Sequence, residues 1–209
     1  MRRVAHGTVW FSPEVEPQIL HLMKVQCSAT RSAYQAQHKY GLKNNDVKIY
    51  VKQNYMEDLN QRYVADACSR ASGITQEGAL FGGKKEWEKL QAGKITKEEW
   101  QAKRNNQLYS RGDLSKKGNP NIRVDGDSLL VNDPKGRGQW LEGKLFLPAK
   151  WSPDWNCYGV QVIHRNDKFE VKLSWEEEAA PVVTSPKRGI FAIDTNPNGL
   201  GIESEFEDH

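Results

Sequence analysis

The strongest candidate for metal chemistry in this sequence is Asp194. It follows the apolar run Ile190-Phe191-Ala192-Ile193, which is typical of a buried strand. A carboxylate that a rigid strand holds in place can bind Mg²⁺, a cation that takes oxygen ligands. Residues 196–199 (Asn-Pro-Asn-Gly) form a turn signal directly afterwards, so a turn-forming aspartate is the alternative. The residues alone leave both interpretations open.

A second group of candidates is a basic stretch that contains aromatic residues. Its members are Lys84, Lys85, Lys103, Arg104, Tyr109, Arg111, Lys116, Lys117 and Arg123, with Trp100 among them. Cations neutralise phosphates and release counterions, and exposed aromatic rings stack on unpaired bases. Arg111 precedes Gly112, where a guanidinium and free backbone amides can approach a phosphate closely. The stretch therefore predicts nucleic-acid binding, and the alternative is a solvated loop whose aromatic residues lie in the core.

The charge distribution favours a polyanionic partner. The 209 residues carry a net charge of +3. Residues 1–175 hold 28 of the 30 Lys and Arg against 19 of the 27 Asp and Glu, a net charge of +9, and residues 176–209 carry −6. A basic body of this kind suits nucleic acid, although a solubilising surface is the alternative.

Other features exclude several classes of protein. No run of about 18 apolar residues and no secretory signal is present, so we expect neither a membrane partner nor a transmembrane helix. Cys27, Cys68 and Cys157 lie far apart without a CxxC pair, which indicates a reducing, cytoplasmic location and no zinc ligands. No small-molecule substrate is evident from the residues.

The elements that must position the candidates follow from periodicity. An N-terminal strand precedes a long helix over about residues 14–40, which Ser12 and Pro13 are expected to start. Two helices follow between residues 46 and 72, and two short helices flank Gly93, with Thr96 and Glu99 matching a capping box. Residues 105–121 are polar and glycine-punctuated, which predicts a loop.

Short strands dominate the rest of the chain. The patterns predict strands at 122–124, 129–131, 140–147, 159–164 and 169–175, then a hairpin formed by 188–193 and 200–202. We expect the first strand to pair with these later strands, because an isolated strand leaves its backbone groups unpaired. Trp10, Trp140 and Trp175 are expected to fill the resulting barrel. The predicted fold class is therefore α+β, a β-barrel interrupted by a helical insert.

Several motifs together resemble the TnpB family, which is associated with transposons and related to type V CRISPR effectors. Residues 190–202 (IFAIDTNPNGLGI) are similar to the first RuvC motif of that family. Residues 59–67 (LNQRYVADA) look like its second helical segment. Residues 81–85 (FGGKK), 106–113 (NQLYSRGD) and 118–123 (GNPNIR) resemble its middle part. The resemblance covers the chain from about residue 59 to residue 202, in order.

The resemblance implies an RNA-guided DNA endonuclease of a mobile element, with a guide RNA and a target DNA as partners. Residues 1–12 and 120–182 would form an oligonucleotide-binding-like wedge barrel, and residues 13–119 the helical recognition insert with its basic loop. Residues 187–209 would begin a RuvC nuclease domain with an RNase H-like sheet. Asp194 would then be a catalytic ligand of Mg²⁺ in a two-metal site.

The sequence also departs from the family. A RuvC site needs further carboxylates on later elements, and the family's zinc ribbon with two CxxC pairs is missing here. Glu203, Glu205, Glu207 and Asp208 are expected to form a solvated acidic tail. We therefore expect this polypeptide alone not to cleave DNA. The alternative function is a nuclease-deficient RNA- or DNA-binding regulator derived from the same family.

Overall fold

The computed structural model describes residues 2–75, 77–116, 118–135, 138–148, 157–176, 190–196 and 199–205. The chain divides into two compact units. The main unit spans Arg2–Glu176, and the C-terminal hairpin belongs to the second unit. The predicted α+β class is confirmed, because the described residues form five α-helices and nine strands.

The helices precede most of the strands along the chain. The helices are α1 (Glu16–His38), α2 (Asn45–Tyr55), α3 (Gln61–Ser72), α4 (Lys84–Gln91) and α5 (Lys97–Arg104). The strands of the main unit are β1 (Arg2–Phe11), β2 (Gln107–Ser110), β3 (Ile122–Asp125), β4 (Ser128–Asn132), β5 (Trp140–Phe146), β6 (Tyr158–Arg165) and β7 (Lys168–Glu176). The second unit contains β8 (Ile190–Asn196) and β9 (Gly199–Glu205).

The seven strands of the main unit form one antiparallel sheet in the order β2-β6-β7-β1-β5-β4-β3. Strand β1 lies in its middle, paired with β7 on one side and β5 on the other, as we expected for the first strand. The sheet curls, which brings the edge strand β3 close to the start of β6, and there the backbone N–H of Val124 donates to the Tyr158 hydroxyl at 3.0 Å. The helical block thus interrupts a β unit.

The core lies between the inner face of the sheet and the helices. Inward-facing residues alternate along the strands, so that Val9 and Phe11 on β1 are buried while Trp10 is exposed. Ile19 and Met23 on α1 join them in one continuous cluster. The prediction that Trp10 fills the barrel is wrong, since its position in the alternation places it on the outer face, where it is 59% exposed.

The start of α1 also differs from the prediction. The helix begins at Glu16, with Val15 as the N-cap and without a side-chain cap, so Ser12 and Pro13 do not start it. The backbone C=O of Ser12 accepts from the N–H groups of Val15 and Glu16 at 2.9 Å each, which makes a tight turn ahead of the helix. Pro17 lies in the first helical turn, where its missing N–H is not needed. The capping box of α5, by contrast, is confirmed at Thr96 and Glu99.

The prediction of a loop over residues 105–121 is wrong in part. Gln107–Ser110 form strand β2, which pairs with β6, and Leu108 on it is fully buried. Ser110, Asn119 and Asn121 are buried polar residues as well. The polar composition of this segment reflects buried hydrogen bonding, a pattern that composition alone does not distinguish from solvated loop.

Strands β8 and β9 form the predicted hairpin, with Asp194 in register opposite Gly201. The strand was expected to end at Asp194, but β8 continues to Asn196. Glu203 and Glu205 lie on β9, where an acidic tail was expected to follow the hairpin, and their solvation stays a prediction. Glu207 and Asp208 lie outside the described residues.

Candidate nucleic-acid interface

The free edge of strand β2 is covered by one side chain from α1. The Gln26 side chain donates its Nε2 to the Tyr109 carbonyl at 2.6 Å and accepts from the Tyr109 N–H at 2.7 Å. It therefore replaces a neighbouring strand at this residue. The thiol of Cys27, the next residue of α1, donates to the Gln107 carbonyl at 3.1 Å. These bonds attach β2 to α1 and fix the position of the residues around it.

A buried polar network attaches β2 to α3. The Asp66 carboxylate accepts from the Ser110 hydroxyl at 3.0 Å and from the Arg111 Nε at 3.4 Å. The Asn119 amide oxygen accepts from the Ile122 N–H at 2.8 Å and lies 2.9 Å from the same hydroxyl oxygen. Burial raises the pKa of Asp66, and the bonds from Ser110 and Arg111 oppose that shift. This network is structural, since its groups bind one another.

A cleft of about 880 Å³ lies beside β2 in the main unit. Helices α1, α3, α4 and α5 and the turn between β6 and β7 line it. Five cationic side chains contribute to its wall, namely Arg31, Arg70, Lys103, Arg104 and Arg165. The acidic residues of the wall are Glu86, Glu99 and Asp167. We call this feature the cationic cleft.

Two of the four guanidinium groups of the cationic cleft have neutral partners. Arg31 donates to the Asn105 side-chain oxygen at 2.9 Å and to the Arg104 carbonyl at 3.3 Å. Arg70 donates to the Gln107 side-chain oxygen. In the part of the chain that the structure describes, none of Arg31, Arg70, Arg104 and Arg165 forms an ion pair with a carboxylate. Among the described residues, no carboxylate is therefore paired with these four positive charges.

Arg104 carries the clearest unmet hydrogen-bonding demand. Its guanidinium lies 4.7 Å from the centre of the Trp100 ring, and its buried Nε has no hydrogen-bond partner among the described residues. The Nε1 of Trp100 is also buried without a partner there. Both atoms are donors only, so each lacks an acceptor among the described residues.

The guanidinium groups of Arg31 and Arg104 also repel each other inside the cleft. Burial lowers the pKa of Arg31, and the neighbouring positive charge of Arg104 lowers it further. The two guanidinium groups stay charged, because an arginine does not lose its proton in proteins. An anion bound between them would relieve this repulsion. Lys103 differs from them, since its Nζ lies 2.6 Å from Glu86 Oε2 and is already paired.

The glycine turn before α4 brings backbone close to α5. Gly82 and Gly83 have φ angles of +97° and +89°, in the left-handed region that favours glycine. A Cβ on Gly82 would lie 3.1 Å from Trp100 Nε1 and 3.2 Å from Arg104 Cβ. Lys84 and Lys85 follow as the exposed first residues of α4. Both glycines line the cationic cleft, whereas these two lysines are not part of its wall.

The other predicted residues occupy several different places. Tyr109 is half-buried on β2, with the Arg70 guanidinium 5.6 Å from its ring centre, and burial raises its pKa. Arg111 pairs with Asp66, and Gly112 next to it packs against the backbone of Tyr158, where a Cβ would lie 2.6 Å from the nitrogen. The space beside Gly112 is therefore taken up by protein.

Arg123 lies on β3, where its guanidinium is 4.7 Å from the centre of the Trp140 ring. Lys116 ends a short 3₁₀ turn, and Lys117 lies outside the described residues. Of the predicted cations, the structure thus brings Lys103 and Arg104 together in the cleft. Sequence reasoning missed Arg31, Arg70 and Arg165, which come from distant elements, and no local signal in the sequence marks them.

The described residues contain no group of three or more His, Cys, Asp or Glu side chains that could hold a metal ion. The role of Asp194 as a Mg²⁺ ligand stays a prediction. Within the described ranges, no helix is both long enough and apolar enough to cross a membrane.

Comparison with known proteins gives one assignment. No curated protein matches the chain. A family model, described as the SSO2105 N-terminal domain, matches residues 4–179, which is most of the sequence and contains every residue of the cationic cleft. The chain therefore belongs to the SSO2105 N-terminal domain family.

Proposed function

We propose that this chain is the nucleic-acid-binding part of a TnpB-like RNA-guided DNA endonuclease of a mobile element. In this proposal, the cationic cleft holds the sugar–phosphate backbone of the nucleic acid. The sheet of the main unit corresponds to an oligonucleotide-binding-like wedge, and α1–α5 correspond to the helical recognition insert. The insertion of the helices between β1 and the later strands of one sheet supports this assignment.

One observation carries the binding proposal. The cationic cleft contains four arginines without a carboxylate partner among the described residues, and the buried Nε of Arg104 lacks any partner there. Guanidinium groups bind phosphates through several N–H donors at once. Keeping these groups close together costs free energy unless an anion is bound, and a polyanion with regularly spaced phosphates supplies one.

The proposal gives Asp194 a role only in a complete nuclease. There it would be one ligand of Mg²⁺, and the metal would stabilise negative charge as the phosphodiester is hydrolysed. Strand β8 supplies the backbone that holds this carboxylate. The contribution of the main unit is binding and orientation of the nucleic acid.

The test uses a variant that removes charge without removing an internal hydrogen bond. The side chains of Arg104 and Arg165 donate no hydrogen bond to any described residue, so Arg104→Gln with Arg165→Gln breaks none. The variant does remove the contact between Arg104 and the Trp100 ring, so its melting temperature is measured to show that it is folded. The matched control is Lys48→Gln with Lys52→Gln, two exposed lysines on α2, a helix that does not line the cleft.

Affinity for a fluorescent 20-nucleotide RNA is then measured by anisotropy over a range of salt concentrations. Each lost phosphate contact lowers the slope of log K against log salt by about 0.7 for a single strand. We expect the cleft variant to lose about 1.4 from the slope and the control to keep it. Equal slopes for the two variants, or the absence of binding by the wild type, would overturn the proposal.

A further inference from the structure

The outer face of the sheet carries exposed aromatic rings on neighbouring strands. Trp10 on β1 and Phe146 on β5 are 59% and 52% exposed. The register pairs Trp10 with Lys144 and Thr8 with Phe146, so the two aromatic residues are diagonal neighbours on one face. Diagonal neighbours in an antiparallel pair are about 7 Å apart. Trp140, at the other end of β5, lies on the same face, since side chains two residues apart point the same way.

Cations accompany these rings. Lys144 Nζ lies 5.8 Å from the centre of the Phe146 ring, and the guanidinium of Arg123 lies 4.7 Å from the centre of the Trp140 ring. Glu142 is on the same face, and its carboxylate accepts from the Ser128 hydroxyl at 2.6 Å. Lys144 and Arg123 form no ion pair with any carboxylate that the structure describes.

Exposed aromatic rings together with unpaired cations restrict which ligands could bind to this face. If an apolar surface of another protein bound here, it would bury the charges of Lys144 and Arg123 without supplying a counter-charge, which is costly. A ligand that carries flat rings and regularly spaced negative charges satisfies both groups, because bases stack on aromatic side chains while cations contact phosphates. An unpaired strand is required, since the bases of a duplex already stack on one another and do not present their faces.

We propose that the outer face formed by Trp10, Lys144, Phe146, Trp140 and Arg123 binds unpaired nucleotides of a single-stranded RNA or DNA segment by stacking. This inference rests on the proposed function and adds a second surface to it. The cationic cleft holds backbone, and the outer face holds bases.

The test compares Trp10→Ala with Phe146→Ala as a double variant against Tyr40→Ala. Tyr40 is the matched control, because it is 50% exposed and has Lys39 Nζ 5.6 Å from its ring centre, but lies beyond the end of α1. The probes are a fluorescent 20-mer of deoxythymidine and a fully paired 20-base-pair DNA. Since stacking contributes about 1–3 kcal/mol per base, we expect the double variant to bind the single strand at least about 30-fold more weakly.

Affinity for the paired probe should change by less than about twofold, and Tyr40→Ala should bind both probes like the wild type. A 5-bromouracil-substituted single strand should crosslink on irradiation to Trp10 or Phe146, as located by mass spectrometry. The melting temperature of the double variant reports whether it is folded.

The outcomes separate the two proposals. One outcome would overturn the outer-face proposal alone. In it, the cleft variant binds more weakly than the wild type, the double variant binds like the wild type, and no crosslink forms on β1 or β5. No binding of either probe by the wild type would overturn the proposed function as well. Equal weakening for both probes, or a change in self-association by sedimentation, would also contradict stacking on unpaired bases.

Discussion

Several buried polar side chains hold the fold together through hydrogen bonds. Asp66 is 5% exposed, yet it faces the Arg111 guanidinium at 3.4 Å and the Ser110 hydroxyl at 3.0 Å. Asn119, at 1% exposure, uses both ends of its amide. Its Nδ2 donates to the carbonyls of Ser110 and Tyr158, and its Oδ1 accepts from the N–H groups of Asn121 and Ile122. Because unpaired polar groups are costly in the core, these bonds fix the relative positions of α3, β2 and the segment before β3.

The first prediction concerns the pH dependence of stability. Burial raises the pKa of Asp66, so the folded protein binds this proton more tightly than the unfolded chain does. The contribution of Asp66 to the free energy of unfolding is therefore largest below its ordinary pKa of about 3.9 and declines as pH rises through the raised pKa. We expect the difference in unfolding free energy between wild type and Asp66→Asn to fall over that window and then level off.

Urea unfolding at a series of pH values measures this difference. Asp113→Asn is the control of opposite sign, because hydrogen bonds from Ser115 and Arg62 lower the pKa of the exposed Asp113. The contribution of Asp113 is present at neutral pH and is lost as pH falls through its lowered pKa. A flat or rising difference for Asp66→Asn would contradict the assignment.

At the level of elements, strand β2 depends on a side chain 83 residues away in sequence. Gln26 satisfies both backbone groups of Tyr109, and replacing it with leucine would leave a donor and an acceptor unpaired. Each unpaired buried group costs about 1–3 kcal/mol, so we expect Gln26→Leu to lower the free energy of unfolding by about 3 kcal/mol.

Denaturant unfolding and amide hydrogen exchange check this prediction. Exchange at Tyr109 should accelerate in Gln26→Leu, because the edge of β2 becomes open to water. Gln18→Leu is the control, since Gln18 is exposed on the same helix and makes only a local bond to the Glu14 carbonyl. Equal stability of the two variants would mean that α1 does not hold β2 in place.

The sequence predicted the elements whose signals are local. The strands predicted at 122–124, 129–131, 159–164 and 169–175 correspond to β3, β4, β6 and β7, which pair as two hairpins. In the turn of the second hairpin, Asn166 and Asp167 have φ angles of +49° and +56°. Strand β2 was missed, because its edge is completed by Gln26, and sequence reasoning cannot pair residues so far apart. The cleft was predicted only at Lys103 and Arg104 for the same reason, since Arg31, Arg70 and Arg165 come from α1, α3 and the end of β6.

In the molecule as a whole, some cations are paired within the fold and others are left unpaired. Arg62 and Arg111 pair with Asp113 and Asp66, and Lys103 pairs with Glu86, so these cations support the fold. Arg104 and Arg165 make no ion pair within the described residues, and they give the cleft its unbalanced charge. Residues 1–175 carry a net charge of +9. Only part of it, including the charges of Arg104 and Arg165, is unpaired in the cleft and available to a polyanion.

The main proposal is that the unpaired positive charges of the cationic cleft bind a nucleic-acid backbone. The most direct measurement is to purify the wild type and the Arg104→Gln, Arg165→Gln variant in parallel, and to size and sequence the RNA that accompanies each. We expect a discrete RNA with the wild type and its loss from the variant, while the Lys48→Gln, Lys52→Gln control retains it. Absence of RNA from the wild type, or the same RNA content in the cleft variant, would overturn the proposed function.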